Sequence, residues 1–489
     1  MSLKYLYGRF FTILLTVIFL FEVSDISAQS FWSRTYGGAN EDAGLSVIET
    51  PDSGYMVVGY TGSLGNGASD AYIIKTDSVG IFQWHKTYGG ANVDIAEKII
   101  PAFGGGYFIA GYSNSITFDY DFWMLKIDES GDTLWTKKIG GEDWDRAYSA
   151  VGTQDGSYMV VGETYSGNNQ YADGLIMKVD NLGDTAWTKK FSLPGSEALK
   201  DVVRISDTRY AAVGTRENVL SATTDGFVLF FDADGNFSDT VYYDFGFNEY
   251  INCIAISTMD EIMLGGYYHY DTTNFPKSMQ IKIDTSGNED FHLLAPIADD
   301  FGMEIHSYAH YNWDIFFFSG RSFYKTSGDH QAVVIKSWGD GNPEWLRSYG
   351  KEGPDDSVDG LIPTFDGGFL SVGYTKSFGP GTQALLMYKI SQAGINTINN
   401  TVVDIKENIT NEHIQVFPNP AEEQMIFSAQ SNFTLKLFDS NGKEMPIDQK
   451  AKSNQYQINV THLATGFYFG EMTFDDGALH FEKIYILSK

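Results

Sequence analysis

The chain has 489 residues, of which 15% are aromatic and 20% charged, with 51 Gly and only 12 Pro. That composition excludes a disordered or collagen-like chain, and the length allows several domains with sizeable cores. A formal charge of -30 argues against nucleic-acid partners, and a single cysteine excludes a disulfide framework or a Cys-cluster metal site.

Lys4 and Arg9 flank the start of the chain, and Phe10 to Phe21 form a largely apolar run of 12 residues. Ala28 then stands at a small-residue cleavage point. Residues 1–28 therefore read as a secretory signal peptide, too short in its apolar run for an ordinary spanning helix. The rival is an uncleaved anchor. No later stretch is long and apolar enough to cross a membrane, so no transmembrane segment is expected after signal removal.

The middle of the chain repeats at about 52 residues. Gly59, Gly111, Gly162, Gly214, Gly266, Gly320 and Gly373 recur at steps of 52, 51, 52, 52, 54 and 53. Trp32, Trp84, Trp135, Trp187 and Trp345 keep the same phase, as do the turn residues Asp77, Asp128, Asp180, Asp232 and Asp284. Within a unit, four short β-branched and aromatic runs are separated by Gly, Asp, Asn and Ser. Four strands per unit of this length predict a propeller blade. The last unit, ending at residue 390, has no Trp strand of its own, while Trp32 precedes the first unit. The expected fold is all-β, a seven-bladed β-propeller over residues 31–391 closed by the N-terminal strand. An open solenoid is the rival. The pattern G-G-x-x-x-D-x-A … G-G-Y-x-x-x-G-Y-T … D-x-x-G-x-x-x-W resembles bacterial secreted β-propeller repeats, a likeness that speaks for fold and says little of activity.

Residues 392–413 are polar and Asn-rich and read as a linker. The last segment, 414–489, carries Phe417, Pro418, Asn419 and Pro420, then a hairpin with Asp439, Asn441 and Gly442. It ends with Gly466, Phe467 and Tyr468 and a basic terminal strand with Lys483 and Lys489. These residues resemble the C-terminal sorting domain of the type IX secretion system of Bacteroidetes. The resemblance implies a small Ig-like β-sandwich, the type IX secretion machinery as partner, and delivery to the medium or the outer cell surface after periplasmic transit. An ordinary Ig-like accessory domain is the alternative.

The candidate ligand residues are a phased set of acids. Asp42, Asp94, Asp145, Glu197, Glu249 and Asp356 each stand 17 residues before the phasing glycine, and Asp300 stands 20 before it in the sixth unit. One reading makes them a carboxylate-lined channel mouth for Ca²⁺ or a cationic partner, since hard cations take oxygen ligands. The other has each acid capping backbone N–H groups of its own loop. Loop aromatics (Tyr60, Tyr112, Phe118, Tyr120, Tyr165, Tyr267, Tyr268 and Tyr270) are further ligand candidates. His306 and His310 are i and i+4 on a strand, about 13 Å apart when extended, too far to share one metal. Cys253 reads as inert core. No local catalytic motif occurs, so catalytic residues stay unassigned and no cofactor is certain. The leading functional reading is a secreted or surface-displayed binding or adhesion module for an extracellular glycan or protein. The rival is a propeller enzyme, a hydrolase or lyase acting on polysaccharide.

Overall fold

The computed structural model describes residues 31–487. Outside the description lie 116–118, 168–169, 258–259, 271–274, 296–300, 313–314, 325–328, 342, 352, 393–399, 403–414, 418–420, 422, 430, 440–443, 453 and 475–478. The signal-peptide segment, Phe118, Asp300, Pro418, Asn419, Pro420, Asn441, Gly442, Lys489 and most of the linker fall there too.

Seven antiparallel sheets follow one another along the chain, and no helix occurs among the described residues. The first blade is Asp42–Glu49, Tyr55–Thr61, Asp70–Thr76 and Phe82–Tyr88, paired in that order. The innermost strands of the next six are Asp94–Pro101, Asp145–Gly152, Glu197–Arg204, Asn248–Ile256, Phe301–Asn312 and Asp356–Pro363. In the seventh sheet Trp32–Tyr36 lies antiparallel to Ala384–Ile390, in register from Trp32 opposite Lys389 to Tyr36 opposite Leu385. Asn400–Val402 adds to it in parallel.

The second and third strands of a blade are buried on both faces, because blades pack sheet on sheet. Met56, Val58 and Ile73 of blade one meet Ile99, Ile109 and Leu125 of blade two, and Val57 and Ile74 meet Val372 and Leu385 of blade seven. The repeated tryptophans belong to this packing. In the turn after the third strand, Asp77 Oδ1 accepts the N–H groups of Val79 (3.0 Å) and Ile81 (2.8 Å). Gly80 follows at φ 74°, and the Trp32 ring occupies the space its Cβ would need, 2.6 Å away. Trp84, Trp135 and Trp187 stand likewise on Gly131, Gly183 and Gly235 of the next blade. The turn aspartates are thus hairpin residues.

The phasing glycines have a different cause. Every innermost strand carries a β-bulge, at Leu45, Glu97, Tyr148, Lys200, Asn252, His306 and Asp359. Two residues before the bulge, the strand's carbonyl swings toward the second strand. A Cβ at Gly59 would lie 2.0 Å from Ala43 O, at Gly111 1.9 Å from Ile95 O, and at Gly266 1.8 Å from Tyr250 O. Gly162, Gly214, Gly320 and Gly373 face Arg146, Ala198, Glu304 and Ser357 in the same way. Only glycine tolerates that approach.

Near the C-terminus two further four-stranded sheets occur. One pairs Gln415–Phe417, Gln424–Ser428, Gln455–Asn459 and Asp448–Lys452; the other Glu444–Met445, Phe433–Asp439, Gly466–Phe474 and Leu479–Ile486. Met425, Phe427, Leu437, Ile458, Met472 and Ile484 form the core there. Phe417, Asp439, Phe467 and Lys483 lie on these strands, and Tyr468 is buried.

A Gly111→Ala substitution is expected to cost roughly 2–4 kcal/mol, because a backbone carbonyl must give way. Gly152 has nothing within 4 Å of its added Cβ, so Gly152→Ala is expected to leave the melting temperature within about a degree. Calorimetry on the two variants checks the pair; equal midpoints would refute the bulge account.

Candidate functional site: the central channel and its mouth

The bulge pushes one side chain per blade toward the propeller axis. Six of the seven are polar: Glu97, Tyr148, Lys200, Asn252, His306 and Asp359, with Leu45 completing the ring. All seven line a cavity of about 570 Å³ that runs on past Lys98, Asp201 and His310. A second cavity, of about 450 Å³, opens on the side where the innermost strands begin. Its wall includes Glu163, Tyr165, Glu197, Tyr250 and Tyr267, and it shares Lys200 and Asn252 with the first.

Most charges in the channel are paired. Lys98 stands 3.6 Å from Asp201, which also accepts Ser149 Oγ at 2.6 Å and Ile254 N–H at 3.2 Å. His306 is clamped by Asp359 at 2.7 Å and Glu304 at 3.1 Å, and Arg321 donates to Glu304 at 2.6 Å. Burial alone would lower the His306 pKa, but the two carboxylates overcome it and hold the ring protonated up to about 9. Burial would raise Glu304, but His306 and Arg321 pull it down to about 2. Arg146 lies 3.7 Å from Glu163, and Tyr148 donates to Glu163 at 2.6 Å. Two groups differ. Glu97 is pushed up to about 7 by burial, and Lys200 is pushed down by burial against the pull of Glu163 and Glu97.

An aromatic ladder stands at the mouth. Ring centroids run from Tyr112 to Tyr120 (5.3 Å), Tyr120 to Trp144 (5.6 Å) and Trp144 to Tyr165 (6.4 Å). The Arg146 guanidinium is inserted among them, 5.5 Å from Tyr112 and 4.8 Å from both Tyr120 and Trp144. Trp144 remains 46% exposed at this mouth.

The described phased acids sit beneath the loops, and of them only Glu197 also lines one of the two cavities. Asp42, Asp94, Asp145, Glu197, Glu249 and Asp356 are all buried. Asp42 accepts the N–H of Gly38 at 2.9 Å and the hydroxyls of Ser63, at 2.7 Å, and Thr61. Asp94 repeats this with Gly90, Ser113 and Ser115; Asp145 with Gly141 and Ser166; Asp356 with Thr375 and Ser377. Burial raises the pKa of Asp42 and Asp356, offset by those hydroxyls. In the sixth blade the position 17 before the phasing glycine is Met303, a buried core residue, and Asp300, 20 before it, lies outside the described residues.

The two glutamates are less well served. Glu197 accepts only Leu193 N–H (3.1 Å) and leaves Oε1 without a partner. Glu249 accepts Phe245 and Phe247 N–H (3.0 Å each) and leaves Oε2 without one. Burial pushes both up to about 7. Among the described residues the acids whose ligand atoms converge are Asp225, Asp244 and Glu249, within 4.8 Å. Asp225 is already paired with Arg216 at 2.8 Å and accepts a hydrogen bond from the Asn218 amide at 3.0 Å, so the guanidinium supplies positive charge where a cation would sit. Cys253 is buried and its thiol pKa is raised by burial, consistent with inert core.

Sequence reasoning named Tyr112, Tyr120 and Tyr165, and His306 only as half of a rejected metal pair, but missed Trp144, Arg146 and the bulge ring as a set. A signal for the ring existed: each bulge residue stands 14 before its phasing glycine. The hydroxyl partners of the aspartates also recur, at two and four residues after that glycine.

Residues 415–486 match the family described as the secretion system C-terminal sorting domain. That tail addresses the propeller to the type IX system, and so to the medium or the outer surface. No curated protein matches the chain. Among solved structures it is similar to the Neurospora crassa Pan2 WD40 domain (9% identity, TM-score 0.44, covering 74% of this chain and 99% of that one). It is similar also to the β-propeller domain of the Trilobed protease from Pyrococcus furiosus (12%, 0.42, 71% and 94%). A third likeness is to a puromycin hydrolase S511A mutant (12%, 0.48, covering 80% of this chain and 59% of that longer one). Likenesses this distant do not bear on what the chain binds. No helix among the described residues is long and apolar enough to cross a membrane.

Because Glu197 and Glu249 have pKa values raised in the folded state, their contribution favours folding at pH below about 4.5 and is lost as pH rises through about 7. The double variant Glu197→Gln, Glu249→Gln is expected to melt about 2 °C higher than the parent at pH 8, with the gap closing at pH 5. Thermal unfolding at both pH values checks it; a gain of equal size at pH 5 would contradict the charge argument.

Proposed function

We propose that the chain is an exported propeller that binds an extracellular glycan with the mouth of its channel, acting as a binding or adhesion module at the cell surface or in the medium. The observation that carries this reading is the ladder Tyr112–Tyr120–Trp144–Tyr165 packed around Arg146, with Trp144 exposed beside the polar cavity of Glu163 and Glu197. A flat apolar ring suits the C–H face of a sugar, and neighbouring polar groups suit its hydroxyls. Arg146 and its rings hold the indole in place, so little order has to be gained on binding.

A second reading, a hydrolase or lyase acting on polysaccharide, is favoured by Glu97 and Glu197. Both are carboxyls raised to about 7 by burial, and they line cavities that meet at Lys200. An acid poised near neutrality is what proton transfer to a glycosidic oxygen needs.

We further infer the chain's organisation: a signal peptide over 1–28, a propeller over 31–391 closed by Trp32–Tyr36, a linker over 392–413, and an Ig-like sorting domain over 414–489 in a Bacteroidetes-type host. The pairing of Trp32–Tyr36 with Ala384–Ile390 supports the closure, since it joins chain segments some 350 residues apart and leaves no unpaired edge there.

Two truncations test the organisation. Removing 31–38 is expected to cause aggregation or a clear loss of melting temperature, whereas removing 414–489 should leave melting unchanged but trap the protein in the periplasm. Normal yield of the second in the medium, or an unaltered melt of the first, would refute the assignment concerned.

For the binding reading, a glycan array on the full chain is expected to show binders whose affinity falls at least tenfold in Trp144→Ala, with the melting temperature within about 2 °C of the parent. Product analysis on the same glycans decides between the readings. Cleaved products that vanish in Glu97→Gln or Glu197→Gln would establish the enzyme instead, and an array without binders would dismiss the mouth as a glycan site.

A further inference from the structure

The channel charges can be accounted for in pairs: Lys98 with Asp201, Arg146 with Glu163, and Arg321 with Glu304, His306 and Asp359. Two remain. Neither Lys200 nor Glu97 has a hydrogen bond or a counter-ion within 4.0 Å among the described residues. Lys200 lies instead over the face of Tyr148, its Nζ 3.7 Å from the ring centroid. An ammonium resting on an aromatic face keeps its remaining donors directed away from the ring, and here the open space is the channel. Lys200 and Asn252 also form the junction of the two cavities, so a ligand reaching down from the mouth arrives at this amine.

We propose that the channel behind the mouth is a subsite for a carboxylate-bearing sugar, a hexuronate residue, whose carboxylate is received by Lys200 and whose hydroxyls are received by Glu97 and Asn252. This rests on the reading of the mouth as a glycan platform and specifies the sugar. The channel is of the size of small-molecule sites, at about 570 Å³. An unpaired ammonium in a cavity whose other cations are satisfied selects an anion, and a charge-assisted hydrogen bond is stronger than a neutral one. Glu97 stands near half-protonation at neutral pH, so it accepts or donates to a hydroxyl without fully opposing the sugar's carboxylate. The hydroxyl and amide groups of Ser46, Tyr148, Ser149, Asn252 and Ser307 give the remaining wall the neutral polarity that a polyol needs. A simple amino acid would bring a carboxylate to Lys200 but no hydroxyls for that wall.

The test is calorimetric titration of the full chain with glucuronate, glucose, glycine and an oligouronate. Glucuronate is expected to bind at least tenfold more tightly than glucose or glycine. Lys200→Gln is expected to remove that preference, weakening glucuronate about tenfold or more. Glu97→Gln keeps the acceptor but removes the opposing charge, and is expected to tighten glucuronate about threefold, a gain that misfolding cannot produce. Trp144→Ala is expected to weaken only the oligouronate. Glucose or glycine binding as tightly as glucuronate, or glucuronate binding unchanged in Lys200→Gln, would overturn the subsite. Oligouronate binding that resists Trp144→Ala while glucuronate still depends on Lys200 would overturn the mouth reading and uphold the subsite.

Discussion

The whole site depends on one steric bargain, struck seven times. A bulge in an innermost strand needs a carbonyl to swing toward its partner strand, and that partner must then lack a Cβ. The glycine opposite each bulge meets the condition, with the carbonyl only 1.8–2.1 Å from where a Cβ would stand. The extra residue of the bulge is freed from the alternation of the ladder and turns to the axis. Seven such residues make a ring, and because backbone geometry places them, their chemistry is free to vary: Leu45, Glu97, Tyr148, Lys200, Asn252, His306 and Asp359 occupy equivalent places with unrelated side chains. The scaffold is repetitive while the channel is not.

Blade junctions use two other devices, both built on turns. On one end of the strands a buried Asp gathers a backbone N–H and one or two hydroxyls, which ties down the loop between blades. On the other end a tryptophan lies on a left-handed glycine of the following blade. Buried carboxylates of this kind are stable because their lone pairs are filled. Where the acid is a glutamate, in blades four and five, the residues at the hydroxyl positions are Arg216 and Asn218, or Tyr268 and Tyr270. The longer side chain reaches only backbone N–H groups and leaves one oxygen unfilled. Burial raises the pKa of both glutamates, and the few hydrogen bonds they accept offset it only in part.

The surface charge of the chain and the character of its channel are distinct. A formal charge of -30 repels anions at long range, yet at short range the channel is a set of local ion pairs, in which His306 is held protonated between two carboxylates. Screening over a Debye length of about 10 Å at ordinary ionic strength separates the two scales. A net charge therefore says little of what one amine, Lys200, meets inside the channel.

The repeat was fully legible in the chain itself, because glycine, tryptophan and aspartate recur wherever a backbone approach, an inter-blade contact or a hairpin demands them, and each demand is local. The same holds for the tail, whose four segments appear in order. The acids were legible as a set, but not what surrounds them: whether a carboxylate faces a channel or two hydroxyls depends on residues 19 and 21 positions later, brought near only by the hairpin. The ring was harder still. Its members share a spacing to the glycine but no residue type, so nothing in composition marks Glu97, Lys200 and His306 as neighbours across an axis. Trp144 and Arg146 looked like ordinary loop and strand residues until the fold set them beside Tyr112, Tyr120 and Tyr165. Periodic backbone constraints are written in the sequence because each blade must satisfy them alone; the pairing of charges and rings between blades was decided only by the tertiary structure, because it is the closed ring that brings those side chains within reach of each other.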